Sequence, residues 1–148
     1  MTCTYEYIDN WLKINLSPER YEHSLGTAEC ARELAERFGE NPEKAYFTGL
    51  IHDCAKCLPK DETLHIIKTF LNLEDGELCS PKTHHAPVGA YIAKKEFKID
   101  DEEILSAIRW HTIGKVNMTP FEKIIFLADK IETRTRPCEI CEPIREAL

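Results

Sequence analysis

The sequence is poor in everything a membrane-bound or extended architecture needs. No apolar stretch approaches a membrane span; the best, Ile124 to Ala128, is interrupted by charge on both sides. The start, Met1 to Trp11, carries Glu6 and Asp9 and has neither a basic head nor an apolar run, so no signal peptide is expected. Repeats, low-complexity tracts and convincing strand patterns are missing, although Ile66-Ile67 is ambiguous by periodicity alone. Basic residues are outnumbered, 19 Lys and Arg against 26 Asp and Glu, for a net charge of -7. That balance disfavours extended contact with nucleic acid or anionic lipid, yet admits a small phosphorylated ligand where positive charge is focused locally. Neither the short Cys/His spacing of zinc fingers nor an H-E-x-x-H helix occurs. The 7 cysteines are odd in number and scattered, which in a chain without a leader reads as reduced thiols in a cytoplasmic protein.

What is present is helical. At 148 residues, 43% hydrophobic and 30% charged, the chain is one domain with a real core. Ser17-Pro18-Glu19 opens the first strong helix, whose apolar seam runs from Leu25 to Phe38 and stops at Gly39. Asn41-Pro42-Glu43 repeats the opening and launches a largely apolar segment, Ala45 to Leu58, ended by Pro59. Asp61 is expected to cap a shorter helix through Leu71, followed by an irregular region from Asn72 to Thr83. Further helices are expected over Pro87 to Phe97, over Asp101 to Trp110 with Asp100 as cap, and from Thr119-Pro120-Phe121-Glu122, a capping box. A weakly helical segment, Glu139 to Leu148, closes an all-α fold.

Within this pattern lie His23, the adjacent pair His52-Asp53, His111 and Asp129. His52-Asp53 and Asp129 interrupt apolar helical context, where an ionised carboxylate is costly unless paired or metal-bound. A salt bridge from Asp129 to Lys130 is not expected, since adjacent residues diverge around a helix. Of His84 and His85, which precede a Pro-started helix, at most one is expected to be a ligand; His65 has no partner pattern. Imidazole nitrogens with carboxylate oxygens suit Fe, Mn, Zn or similar ions, and Asp53 is placed to bridge two of them. The competing arrangement pairs Cys54-x-x-Cys57 with Cys138-x-x-Cys141 around one tetrahedral zinc, with buried thiols as the simpler alternative.

These stretches resemble a known family. Arg20-Tyr21-Glu22-His23-Ser24, Gly49 to Lys56, His85 to Ala90, Ala107 to Gly114 and Glu122 to Glu132 occur in the order of the HD-domain phosphohydrolase superfamily. They are most similar to its YqeK-type branch, the symmetrical bis(5'-nucleosyl)-tetraphosphatases. The resemblance implies a helical HD domain over residues 1–148 and a centre of two divalent or mixed-valence ions. Iron comes first, with Mn, Co or Zn as alternatives. Its ligands would be His23, His52, Asp53, His85, His111 and Asp129, so that His85 rather than His84 is selected. It further implies hydrolysis of diadenosine tetraphosphate or related dinucleoside polyphosphates to nucleoside diphosphates, and a homodimer. The sequence departs from the family at Thr133 to Cys138, where the matching arginine is either Arg134 or Arg136. The family continues through a further helical segment, so the chain is expected to be truncated or naturally short at Leu148.

Phosphate charge then needs cations. Lys56, one turn beyond Asp53, and Lys115, beside Gly114, are candidates, as are Arg109 and one of Arg134 and Arg136 for a bidentate grip. For these bases the alternative is solvated surface charge. Rival functions are another nucleotide phosphohydrolase, acting on a nucleoside monophosphate or cyclic nucleotide, and a non-catalytic metal-bound nucleotide sensor.

Overall fold

The computed structural model describes residues 2–148, apart from the side chains of residues 138 and 140, and is helical throughout. In chain order the helices are α1 (Tyr5–Asn15), α2 (Pro18–Phe38), α3 (Pro42–Ile51), α4 (Lys60–Phe70), α5 (Asp75–Leu78), α6 (His85–Lys95), α7 (Glu102–Arg109), α8 (Pro120–Ile131) and α9 (Cys138–Ala147). A 3₁₀ turn, Pro81–Thr83, precedes α6. No helix is long and apolar enough to cross a membrane among the described residues.

Local chemistry sets most of the boundaries. Ser17 accepts the Arg20 N–H at the head of α2, Pro18 fills the first turn, and Gly39 ends the helix in the left-handed region at φ 79°. Asn41 caps α3 through the N–H groups of Glu43 and Lys44. Thr119 and Glu122 close the expected capping box on α8.

Several boundaries differ from expectation, each for a local reason. Helix α3 stops at Ile51 rather than running to Leu58. Beyond it the backbone tightens into successive turns with Cys54 N–H to Ile51 O at 3.1 Å and Lys56 N–H to Asp53 O at 2.9 Å. His52 and Asp53 therefore occupy a helix end, not a helix interior. Asp61 sits in the first turn of α4, where it complements the helix dipole, and Pro59 is the residue at the cap. Asp101, not Asp100, caps α7 by accepting from Glu103 and Ile104. Helix α6 begins at His85, two residues before Pro87, because proline is tolerated in a first turn. The region expected to be irregular holds α5, closed by a reciprocal box between Glu74 and Glu77. Helix α1 escaped the sequence reading, although Thr4 caps it and Ile8 and Leu12 are fully buried at i,i+4 spacing.

Two buried clusters make the core. One joins α1, α3, α6 and α7 through residues such as Leu50, Val88, Phe97 and Ile108; the other joins α2, α8 and α9 through Ala31, Phe121, Ile125 and Cys141. Helix α2 links them, because it packs on α3 and on α8. The α2–α3 crossing is tight at Gly49, where a Cβ would lie 2.8 Å from Ala28 Cα. Gly49→Ala is expected to wedge these helices apart and destabilise the fold by about 1–3 kcal/mol. Gly76→Ala, with only Ile113 Cδ1 at 3.7 Å, is expected to be near neutral. Thermal midpoints of the two variants check the contrast.

Candidate metal centre

Helices α2, α3, α6, α7 and α8 each deliver polar side chains to one point. His23 comes from α2, His52 and Asp53 from the turn after α3, His85 from the first position of α6, His111 from just beyond α7, and Asp129 from α8. His23 Nε2 lies 2.8 Å from Asp129 Oδ1, and His52 Nε2 lies 3.3 Å from the same oxygen. His85 Nε2 and His111 Nε2 each lie 3.2 Å from Asp53 Oδ1. Donor atoms of His23, His52, Asp53 and Asp129 all fall within 4.8 Å of one another, as do those of Asp53, His85 and His111. Asp53 belongs to both sets. The sequence-derived ligand candidates are thus brought together as two ion-sized groups hinged on one carboxylate.

The imidazoles are held from behind. His52 donates Nδ1–H to Gly49 O at 2.6 Å, and His111 donates Nδ1–H to Ile108 O at 2.7 Å, leaving both Nε2 lone pairs for an ion. His23 Nδ1 faces Glu132 Oε2 at 3.4 Å. Glu132 is fully buried and also accepts the N–H groups of Thr135 and Arg136, at 2.6 and 3.1 Å. Gly26 makes this possible, because a Cβ there would fall 2.6 Å from Glu132 Oε2. Nitrogen and oxygen donors with such backing fit a transition-metal pair better than Mg²⁺ or Ca²⁺.

Electrostatics keep the acids charged. Burial pushes the Asp53 pKa up, but the His52 charge and hydrogen bonds with His111 and His85 prevail and hold it well below the ordinary carboxylate value. Burial likewise raises Asp129, while His23 and His52 pull it down by more. Burial lowers His23, yet its hydrogen bond with Asp129 and the nearby Glu132 carboxylate outweigh it and the net shift is upward. His85 is shifted down by its burial, against the opposing pull of Asp53.

A cavity of about 270 Å³ lies over these groups, lined by Arg20, Asp53, Lys56, His85, His111, Thr112, Asp129, Lys130 and Arg136. Of the expected phosphate-binding residues, Lys56 and Arg136 are at its wall; Arg136 donates Nε–H to Asp129 O at 3.0 Å. The others are placed elsewhere by stronger local partners. Arg109 forms a bidentate pair with buried Glu77, at 2.7 and 2.8 Å. Lys115 is held by Glu122 and Ser106, each at 3.2 Å. Arg134 bonds Glu22 and Glu29 across the outer face of α2, at 2.7 Å each.

Arg20 and Lys130, which the sequence reading passed over, take their places. Arg20 pairs with Asp53 and lies three residues before His23, a same-face spacing that a sequence can reveal. Lys130 reaches Asp129 Oδ2 at 3.4 Å, against expectation, because its long chain folds over the Phe126 ring at 3.7 Å and returns to His111 O at 3.1 Å. His65 stays exposed on α4. The four-thiol alternative includes residue 138, whose side chain is outside the described residues. Among the described residues neither convergent donor set contains a cysteine, and Cys54 and Cys141 bond different backbone carbonyls, Gly89 O and Lys130 O.

Comparison with known proteins finds relatives over most of the chain. The HD domain family matches residues 20–134. The chain is 45% identical over 124 residues to a Bacillus subtilis protein named bis(5'-nucleosyl)-tetraphosphatase, symmetrical, covering 82% of this chain and 65% of that one. A Staphylococcus aureus protein of the same name is 39% identical over 126 residues, 84% of this chain and again 65% of that one. The chain therefore spans just under two thirds of these relatives. A crystal structure from Clostridium acetobutylicum, described as a predicted HD superfamily hydrolase involved in NAD metabolism, superposes with a TM-score of 0.92 at 39% identity. It covers 99% of this chain and 78% of that one.

Two outcomes follow from the centre itself. Glu132→Ala is expected to weaken metal binding about 10- to 100-fold, with Glu132→Gln retaining part of it, as read by chelator competition. In the metal-free protein, Asp53 and Asp129 contribute stability that is present above their ordinary value of 3.8 and lost on acidification below it. His23 contributes stability present below 6.5 and lost as pH rises through its raised value. Thermal midpoints of chelated protein are accordingly expected to fall at the acid end and to soften on the alkaline side of 6.5.

Proposed function

The chain belongs to the HD domain family, and we propose that it is a metal-dependent phosphohydrolase cleaving dinucleoside polyphosphates symmetrically. The observation that carries this reading is Asp53, shared between two donor sets beneath a rim of Arg20, Lys56, Lys130 and Arg136. The names of the Bacillus and Staphylococcus relatives support a bis(5'-nucleosyl) tetraphosphate as substrate. Iron as the metal and a homodimer as the assembly belong to the same proposal and rest on the family resemblance; the cytoplasm as the location rests on the odd number and scatter of the cysteines.

His23, His52, Asp53 and Asp129 would hold one ion, and Asp53, His85 and His111 the other. When bound, such a pair supplies Lewis acidity and a water whose pKa is lowered toward neutrality. The chain's own residues do the rest. Arg20, Lys130 and Arg136, each within reach of an aspartate, would neutralise the negative charge of a polyphosphate as it settles over the carboxylates. Lys56, which lines both this cavity and its neighbour, would follow the phosphate chain outward. Cleavage at the central anhydride adds water across the bond and releases two nucleoside diphosphates. Each is a good leaving group, so the rim needs no dedicated strong acid.

Chromatography of products from diadenosine tetraphosphate, run beside NAD, nucleoside monophosphates and cyclic nucleotides, tests the reading. ADP is the expected sole product; AMP with ATP would reject the cleavage position, and binding without turnover would favour the sensor. Asp53→Ala is expected to abolish turnover and halve metal content or worse, whereas His65→Ala leaves both intact.

A further inference from the structure

The two donor sets are not supported equally. His52 and His111 are each steadied by a backbone carbonyl and His23 faces Glu132, but among the described residues no hydrogen-bond partner stands behind His85 Nδ1. His85 also belongs to the smaller set, Asp53, His85 and His111, where each ligand counts for more than in the larger one. Its ring must therefore be aimed by the chain that carries it. That chain runs from α5 through the 3₁₀ turn, Pro81–Thr83, into α6. Helix α5 has only 4 residues, too few to hold a helix alone, and it buries no apolar side chain. What it buries is Glu77, bound by Arg109 at 2.7 and 2.8 Å. Arg109 is the last residue of α7, with His111 just beyond. From Glu77 the link continues into the turn, where Thr83 Oγ1 lies 3.1 Å from Glu77 O and donates to Ser80 O at 2.8 Å.

We propose that the Glu77–Arg109 pair is a positioning device for the smaller donor set: it clamps the segment leading to His85 against the end of α7 that leads to His111, so that both imidazoles meet Asp53. This role rests on the two-ion reading of the centre. Each imidazole has its Nε2 3.2 Å from Asp53 Oδ1, and the two ring centroids are 5.2 Å apart. Among the described residues no other ion pair ties α5 to α7. A guanidinium suits the task, since its planar fork fixes both the distance and the angle of a carboxylate, whereas an ammonium fixes neither. Neither side chain bonds a ligand atom of the centre, so the pair acts through the backbone on either side of it. His23, His52 and Asp129 come from α2, the end of α3 and α8, and their set does not depend on α5.

Manganese titration, read by electron paramagnetic resonance and chelator competition, tests the clamp. Wild-type protein is expected to bind a pair of Mn²⁺ ions and show a spin-coupled spectrum. Arg109→Met is expected to weaken one ion about 10- to 100-fold, leave the other unchanged and give the spectrum of an isolated ion. His85→Ala, which removes a ligand of the same set, is expected to give that spectrum too. Arg109→Lys, which keeps the charge without the fork, is expected to lose less, and it decides if Arg109→Met does not fold. Arg109→Met combined with Glu77→Gln separates aiming from charge, because no unpaired buried carboxylate remains. The double variant is expected to lose the same ion. Recovery of wild-type affinity in the double variant, loss of both ions alike, or two tight ions in Arg109→Met overturns the clamp. Wild-type protein that binds a single Mn²⁺ overturns the two-ion reading, and the clamp with it. Selective loss of one ion in Arg109→Met, with no cleavage of diadenosine tetraphosphate by the wild type, upholds the clamp and overturns the reaction.

Discussion

The arrangement of this protein depends on keeping a charged carboxylate, Asp53, in a place where water scarcely reaches it. Its side chain is 2% exposed, and an isolated charge so buried would be prohibitively costly. The cost is offset by the adjacent His52 and by imidazoles and a guanidinium drawn from separate parts of the chain: His85 from α6, His111 from the end of α7, Arg20 from α2. Those helices must therefore end or pass where they do. The His52-Asp53 pair is better seen as the anchor around which α2, α6, α7 and α8 are aimed than as two ligands among several.

The same local device is used twice to aim the imidazoles. His52 follows the last residue of α3 and His111 lies just beyond α7; each ring bonds a carbonyl three residues earlier, at Gly49 and Ile108. Helix ends leave such carbonyls without intrahelical partners. The hydrogen bond to the carbonyl thus fixes the ring tautomer in both places. His23, inside a helix, has no free carbonyl to use, and a buried glutamate from beyond α8 faces its Nδ1 at 3.4 Å instead. Accommodating it leaves no room for a side chain at Gly26.

His52, Asp53 and Asp129 were legible as ligand candidates because polar residues in apolar helical context are physically conspicuous, whereas His85 was chosen over His84 only through the family resemblance. Glycine, proline and cap residues likewise foretold α2, the start of α3 and the head of α8. What was not legible depended on partners distant in sequence. Arg109 looked free until Glu77 was found beneath it, and Arg134 and Lys115 were claimed by carboxylates on neighbouring elements. Lys130 misled in the opposite way, since helical geometry places Cβ atoms but does not limit where a long flexible side chain returns. The turn at His52-Asp53 read as helix because three-residue and four-residue periodicities share most of their apolar positions.

His23 and Asp129 meet across 106 residues of chain. Such a contact reports on order in time as well as in space, for the set of His23, His52, Asp53 and Asp129 cannot assemble until α2, α3 and α8 have docked. Loop closure over that distance has to precede any reward from the ion. An ion held there would accordingly act as a latch on a finished fold and not as a nucleus for it. Binding the native state better than the open chain, it would deepen the native basin as its free concentration rises. The abundance of folded protein would thereby be tied to metal supply.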